Sequence, residues 1–319
     1  MDGDCERYDA WGDTAGSATG VSMRRSRGAF RLVIFSCVCY GQAANPQAAE
    51  SLTGLLDRAG NGDVAAEYVL GKMYVDGRGV HQDFAEAARW YRKAADQGYA
   101  NAEDGLGFLY DNGQGVPQDH AEAARWYRRA ADQGYADAEF NLGSLYDTGQ
   151  GVPQDHAEAA RWYRKAAEHG DTDAAFDLGV MYEAGQGVAR DYTEAARWYR
   201  KAAVQGVPVA QTALAALYVN GRGLPRDPAE AVRWYRKAAG QGFAPALHEL
   251  GAAFADGRGV PRDYIEAHTW MALAAFRARG PLRERYAVER GAIARKMTPE
   301  QVAAAERRAL EWKRKWNPQ

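Results

Sequence analysis

The segment Glu122-Ala-Ala-Arg-Trp-Tyr-Arg-Arg-Ala-Ala131 recurs in register through the chain, its tryptophan returning as Trp90, Trp126, Trp162, Trp198, Trp234 and Trp270, 36 residues apart. Self-similarity at a fixed period between 20 and 50 residues is the signature of a repeat array, in which no unit buries its apolar face alone and each stacks on its neighbours. One elongated domain is therefore expected from the 319 residues, although length alone allows two or three. A formal net charge of −2 gives no global basic excess to suggest nucleic acid, and there is no acidic tail.

Each unit predicts two helices. In the first, helix A, Ala66, Leu70, Met73 and Tyr74 return as Ala102, Leu106, Leu109 and Tyr110 and again as Ala138, Leu142, Leu145 and Tyr146, a helical spacing of one buried stripe. Gly71, Gly107, Gly143, Gly179 and Gly251 follow the repeated leucine, with Ala215 in the fifth unit. A mid-helix glycine costs about 1 kcal/mol relative to alanine, so its recurrence implies a gain in packing. Gly-x-Gly pairs such as Gly113/Gly115 end helix A with a left-handed cap. Helix B then opens on Asp with Glu three residues on, as in Asp119/Glu122 and Asp155/Glu158, the Asp form of a capping box. Its buried stripe in the first unit is Phe84, Ala87, Ala88, Tyr91, Ala94 and Ala95, with Trp90 on the flank covering the joint to a neighbour and Arg89, Arg92, Lys93 and Asp96 turned to solvent.

At Ala-x3-Leu-Gly-x2-Tyr, Gly-x-Gly-Val and Asp-x2-Glu-Ala-Ala-x-Trp-Tyr-x-Lys-Ala-Ala, all present between Ala138 and Ala167, the chain resembles the Sel-one-like repeat family, a branch of the tetratricopeptide-like helical repeats. The resemblance covers roughly residues 62–280 and implies an all-α fold: an α/α solenoid, wound as a right-handed superhelix, that serves as a scaffold for protein–protein contacts. Some bacterial members carry paired cysteines in each repeat, and some of those are linked to β-lactam binding. Cys5, Cys37 and Cys39 all precede the repeats here, so that subgroup's properties do not transfer.

The ends depart from the period. Residues 1–44 form an N-terminal extension in which Arg24, Arg25, Arg27 and Arg31 precede the apolar run Leu32–Tyr40 and Gly41-Gln-Ala-Ala44, the order of an export signal spanning about 23–44. A periplasmic or secreted location follows; the alternatives are a lipid anchor at Ile34-Phe-Ser-Cys37 or a cytoplasmic protein whose start, Met1 or Met23, is misplaced. Residues 45–61, with Leu52, Leu55 and Leu56, predict an N-terminal capping helix. Thr269, Met271, Ala272 and Leu273 make the last helix B more apolar than its counterparts, so residues 281–319 are expected to cap it with two helices, the second opening at Thr298-Pro-Glu-Gln301.

No Ser-x-x-Lys, Gly-x-Ser-x-Gly, His-Glu-x-x-His or phosphate-binding Gly-x4-Gly-Lys-Ser/Thr occurs, so no catalytic residue, cofactor or metal is assigned. His120 and His156 lack a third ligand at fixed spacing and are assigned to an exposed loop. Function is sought instead where the units differ. On helix A the positions of Tyr68, Lys72 and Val75 lie opposite the buried stripe and change from unit to unit, giving Phe108 and Asp111, Phe140 and Asp147, and Phe176 and Glu183. Tyr68, Lys72, Phe108, Asp111, Phe140, Asp147, Phe176 and Glu183 are the candidate partner-binding residues, forming an aromatic groove with an acidic edge. The competing expectation is that these rings pack on the neighbouring helix A. The functional expectation is a non-catalytic, monomeric scaffold for a protein or peptide partner, with no nucleic acid and no membrane span in the mature chain. The alternative, by family analogy, is an enzyme or binding protein of cell-wall or β-lactam chemistry.

Overall fold

The computed structural model describes residues 51–316, which divide at Asp171/Thr172 into two compact bodies. The expected export signal and all three cysteines lie outside the described residues. The first body holds α1 (Leu52–Gly60), α2 (Val64–Asp76), α3 (Phe84–Asp96), α4 (Ala100–Asn112), α5 (His120–Asp132), α6 (Ala136–Thr148) and α7 (His156–Glu168). The second holds α8 (Thr172–Ala184), α9 (Tyr192–Val204), α10 (Pro208–Asn220), α11 (Pro228–Gly240), α12 (Ala244–Asp256), α13 (Tyr264–Arg277), α14 (Gly280–Ala294) and α15 (Pro299–Trp316). Every ordered element among the described residues is helical, and helices A (α2, α4, α6, α8, α10, α12) alternate with helices B (α3, α5, α7, α9, α11, α13), as an α/α solenoid requires.

Within each body a helix B packs on its own helix A and on the helix A that follows. The core is shared across repeats accordingly. One cluster joins Ala87, Tyr91, Ala94 and Ala95 of α3 to Leu106 and Leu109 of α4 and to Trp126 of α5. The next joins Tyr127 and Ala130 of α5 to Leu142 and Leu145 of α6 and to Trp162 of α7. The recurring tryptophan thus belongs to the core formed with the preceding repeat, and Trp126 and Trp162 are buried. Removing ~150–250 Å² of ring from water contributes at most about 4–6 kcal/mol at ~25 cal/mol/Å². At the start of the array, α1 supplies Leu55 and Ala59 to a cluster with Ala66, Leu70 and Trp90, the place taken elsewhere by a preceding helix B.

The mid-helix glycines make room for the helix B tyrosine. A Cβ on Gly107 or Gly143 would stand 2.8 Å from the ring of Tyr127 or Tyr163, inside van der Waals contact. Gly113 caps α4 in the left-handed conformation, φ 66°, and donates its N–H to the Leu109 carbonyl. Its partner Gly115, φ +69°, has a second reason to be glycine: an added Cβ would lie 2.1 Å from the Phe84 carbonyl carbon at the start of the preceding helix B. Gly151, Gly223 and Gly259 meet the first residue of the preceding helix B in the same way.

The capping box forms only in half. The Asp119 carboxylate accepts the backbone N–H groups of Ala121 and Glu122 at 3.0 Å, but the Asp119 N–H goes to the Tyr110 carbonyl at 2.9 Å instead of to Glu122. Glu122 is thereby free to accept the indole N–H of Trp126 at 3.0 Å, as Glu158 does from Trp162 and Glu266 from Trp270, both at 2.9 Å. Exposed cations expected to be solvated also take structural positions: Lys93, Lys165 and Lys237 lie 4.1, 4.0 and 3.9 Å from the ring centroids of Trp90, Trp162 and Trp234. Arg128 donates to the Tyr146 hydroxyl of the following repeat at 2.5 Å, and Arg200 to Tyr218 at 2.7 Å.

At the C-terminal end both α14 and α15 lie against α13. Thr269 is buried and donates its hydroxyl to the Ala305 carbonyl at 3.2 Å, while Trp270 meets Trp312 with ring centroids 5.1 Å apart. On the other side of the last repeat, His248 of α12 is buried against α14, stacked on Tyr286 at 4.5 Å and bonded through Nε2 to Glu289 at 2.6 Å.

Candidate partner-binding surface

The helical period sends one face of each helix A into the core and leaves the opposite face partly open. In the first body that face carries Tyr68, Phe108 and Phe140, all partly exposed, and the exposed Lys72. The rings rest on the framework tyrosines beneath them. Tyr68 lies 5.8 Å from Tyr91 of its own repeat and 5.3 Å from Tyr99 at the start of α4, and Phe140 lies 5.5 Å from Tyr163. Phe108 packs at the edge of the first shared cluster. In the second body Phe176 takes the corresponding place, 5.6 Å from Tyr199. For Tyr68, Phe140 and Phe176 helix B of the same repeat gives support, and Tyr68 also touches the start of the next helix A.

The three acids expected at the groove edge are engaged within their own repeats. Asp111 is 2.7 Å from His120 Nδ1, Asp147 is 2.8 Å from His156 Nδ1, and Glu183 accepts the Tyr199 hydroxyl at 2.8 Å. His120 and His156 therefore are not exposed loop residues. Each is the first residue of a helix B, partly buried, and holds the end of its own helix A.

Two sets of polar side chains lie outside the expected groove residues. The first lies under the array: Glu67, Glu103 and Glu139 are buried next to the core alanine of helix A. Gln97 donates to Glu67 at 2.7 Å, Arg129 and Gln133 reach Glu103 at 2.9 and 2.7 Å, and His169 Nδ1 is 2.8 Å from Glu139. Burial holds the Glu67 and Glu103 carboxyls above the usual carboxylate range, against the pull of Lys93 and Arg129. The signal was an acid in Ala-Glu at the same place in three successive units, which a binary apolar pattern passes over.

The second lies on the open face. Asp104 of α4 occupies the position that carries rings in Tyr68, Phe140 and Phe176, and accepts a hydrogen bond from the Asn141 amide at 3.1 Å. Burial, with the Asp137 carboxylate nearby, pushes its pKa up to about 7. Its charge is close enough to act on the phenols of Tyr68, Tyr91, Tyr127 and Tyr135. Among the described residues no cation neutralises it.

Charge is divided between the two helix layers of the first body. Helices A carry Glu67, Asp76, Glu103, Asp104, Asp111, Asp137, Glu139 and Asp147 against one base, Lys72. Each helix B carries three bases in the Arg-Trp-Tyr-Arg-Lys/Arg segment. No three His, Cys, Asp or Glu side chains among the described residues converge as a metal site would need, and no described helix is long and apolar enough to cross a membrane.

Stacked helix pairs with a shared core, a fixed framework and a varied helix A face define an α/α repeat protein. The Sel1 repeat model matches residues 64–99, 100–135, 136–171, 172–207, 208–243 and 244–275, and the chain belongs to the Sel1 repeat family. It is similar to the crystal structure of a Sel1 repeat protein from Oxalobacter formigenes, with 35% identity over 72% of this chain and 90% of that one and a TM-score of 0.61. It is also similar to c5321, a protective antigen of uropathogenic Escherichia coli strains with an SLR fold, at 25% identity over 83% of this chain and 87% of that one, TM-score 0.43. No curated protein matches it. Sel1 repeat proteins generally mediate protein–protein interaction and are typically non-catalytic scaffolds.

Proposed function

We propose that this protein is a non-catalytic, exported scaffold that binds a protein or peptide segment on its helix A face. The observation that carries the reading is the contrast on helix A itself. The Ala, Leu and Gly positions are buried and nearly constant from repeat to repeat, whereas Tyr68, Phe108, Phe140 and Phe176 sit partly exposed at positions that vary. Rings held from beneath by framework tyrosines lose little conformational freedom on binding, which suits them as anchors. On this reading α1 caps the array at one end and α14 with α15 at the other.

Replacing Phe108, Phe140 and Phe176 by Ser in one variant is expected to abolish capture of peptides selected on the wild-type chain while the circular dichroism spectrum stays helical. Undiminished capture would remove the helix A assignment. Export rests on the order of basic, apolar and small residues between 23 and 44. Sequencing the mature N-terminus from fractionated cells should find cleavage near Ala43 or Ala44 in the exported fraction, and an intact cytoplasmic chain would contradict it.

A further inference from the structure

We propose that the helix A face of the first body receives a basic side chain, Arg or Lys, from an extended partner segment at Asp104, near the phenols of Tyr68 and Tyr135. This rests on the helix A reading above and adds the chemistry of the partner. Three observations converge on it. The helix A layer of this body is acidic, with Lys72 its single base, so its field favours a cationic partner and opposes an acidic one. Most of the acids in that layer are already committed to Gln, Arg or His partners of their own repeats, whereas Asp104 has only the Asn141 amide. Finally, the phenols of Tyr68 and Tyr135 lie near it, and a phenol oxygen can accept a hydrogen bond from a cation that pairs with the carboxylate. A guanidinium or ammonium inserted there would replace the water that burial has removed from the carboxylate.

The same placement gives the contact a pH dependence. The groups facing Asp104 are Asp137 and Tyr135 from the α6 end, Tyr68 from α2, Tyr91 from α3 and Tyr127 from α5; the phenols are held above their ordinary range, so the carboxyl is the group that changes charge between pH 5 and 8. With its pKa at about 7, Asp104 is mostly charged at pH 8 and mostly neutral at pH 5, and a basic ligand binds more tightly at the higher pH.

The test is selection of a random dodecapeptide display library on the full chain, followed by affinity measurement of synthetic winners on wild type, on Asp104→Asn and Phe108→Ser, and on Asp57→Asn as a control at an exposed acid of α1, with melting curves to establish that each variant folds. Enrichment of Arg or Lys, at least tenfold weaker binding to Asp104→Asn at pH 8, convergence of the two proteins at pH 5, and no change with Asp57→Asn are expected. Winners blocked by Phe108→Ser but without basic residues and indifferent to Asp104→Asn would overturn the basic-segment assignment and leave the helix A reading standing. Winners indifferent to both substitutions, or the absence of any winner, would overturn both.

Discussion

At the scale of single residues, the recurring Arg-Trp-Tyr segment is framework. The indole and phenol rings fill the core that each helix B shares with its neighbours, and the glutamate that opens helix B holds the indole N–H. Leu142 shows how little slack that core has. It is buried between α5 and α7 in the same cluster as Tyr127 and Trp162. Leu142→Ala is expected to cost roughly 2–5 kcal/mol as a cavity, visible as a lower melting temperature. An unchanged melting curve would place Leu142 outside the core. Burial of the leucines and tyrosines was legible in the 36-residue period, because a helix repeating its apolar residues at +4 and +7 has one face to bury. The role of Glu122 was not, because capping of the helix and support of the indole call for the same residue type at the same position. The choice between them depends on which carbonyl reaches the Asp119 N–H, and that carbonyl belongs to Tyr110 of the preceding helix.

At the scale of elements, the loop between helices A and B does two jobs with its two glycines. The first reverses the chain, and the second lets the loop approach helix B of the preceding repeat. Two substitutions separate backbone strain from contact. Gly98→Ala meets nothing within 4 Å at φ +83° and should cost about 1–2 kcal/mol through left-handed strain alone. Gly115→Ala carries the same strain and adds a clash with the backbone at Phe84, so its melting temperature should fall clearly further. Equal losses would mean that the repeats do not touch there. The α12–α14 contact has a chemical dependence of its own. Burial would lower the His248 pKa, but Glu249 and Glu289 outweigh it and hold the imidazole above its ordinary value, while Glu289, despite its own burial, is drawn below the carboxylate range by His248 and Arg285. A raised folded-state histidine pKa gives stability that is complete below the unfolded value, about 6.5, and is lost as pH rises through the folded value. Glu289→Gln should therefore lower the melting temperature more at pH 6 than at pH 9, and an equal effect at both would show that the imidazolium charge contributes nothing. That pairing was not visible in the sequence, since His248 belongs to the last repeat and Glu289 lies beyond it.

At the scale of the whole molecule, the two bodies each continue the same rule of packing, and only the last repeat breaks it. Thr269, Ala272 and Leu273 are buried in α13, against which α14 and α15 lie, and those two helices follow no 36-residue match. A chain ending at Ala278 would leave that apolar face to water, so it should aggregate or self-associate on size exclusion and melt at lower temperature. A monomeric truncation with the full-length melting temperature would contradict a covering role for α14 and α15. The sequence by itself determined the helices, their period, their boundaries and which face of each is buried, because propensity, capping and amphipathic spacing act within about one turn or one repeat. Only the tertiary structure decided which acids are already paired within the array, that the Gly-x-Gly loop meets the preceding helix B, and that Asp104 lies near tyrosines with no cation among the described residues to neutralise it. Those outcomes depend on groups brought together from different helices, some of one repeat and some of two, and no local pattern specifies how their charges and hydrogen bonds are shared.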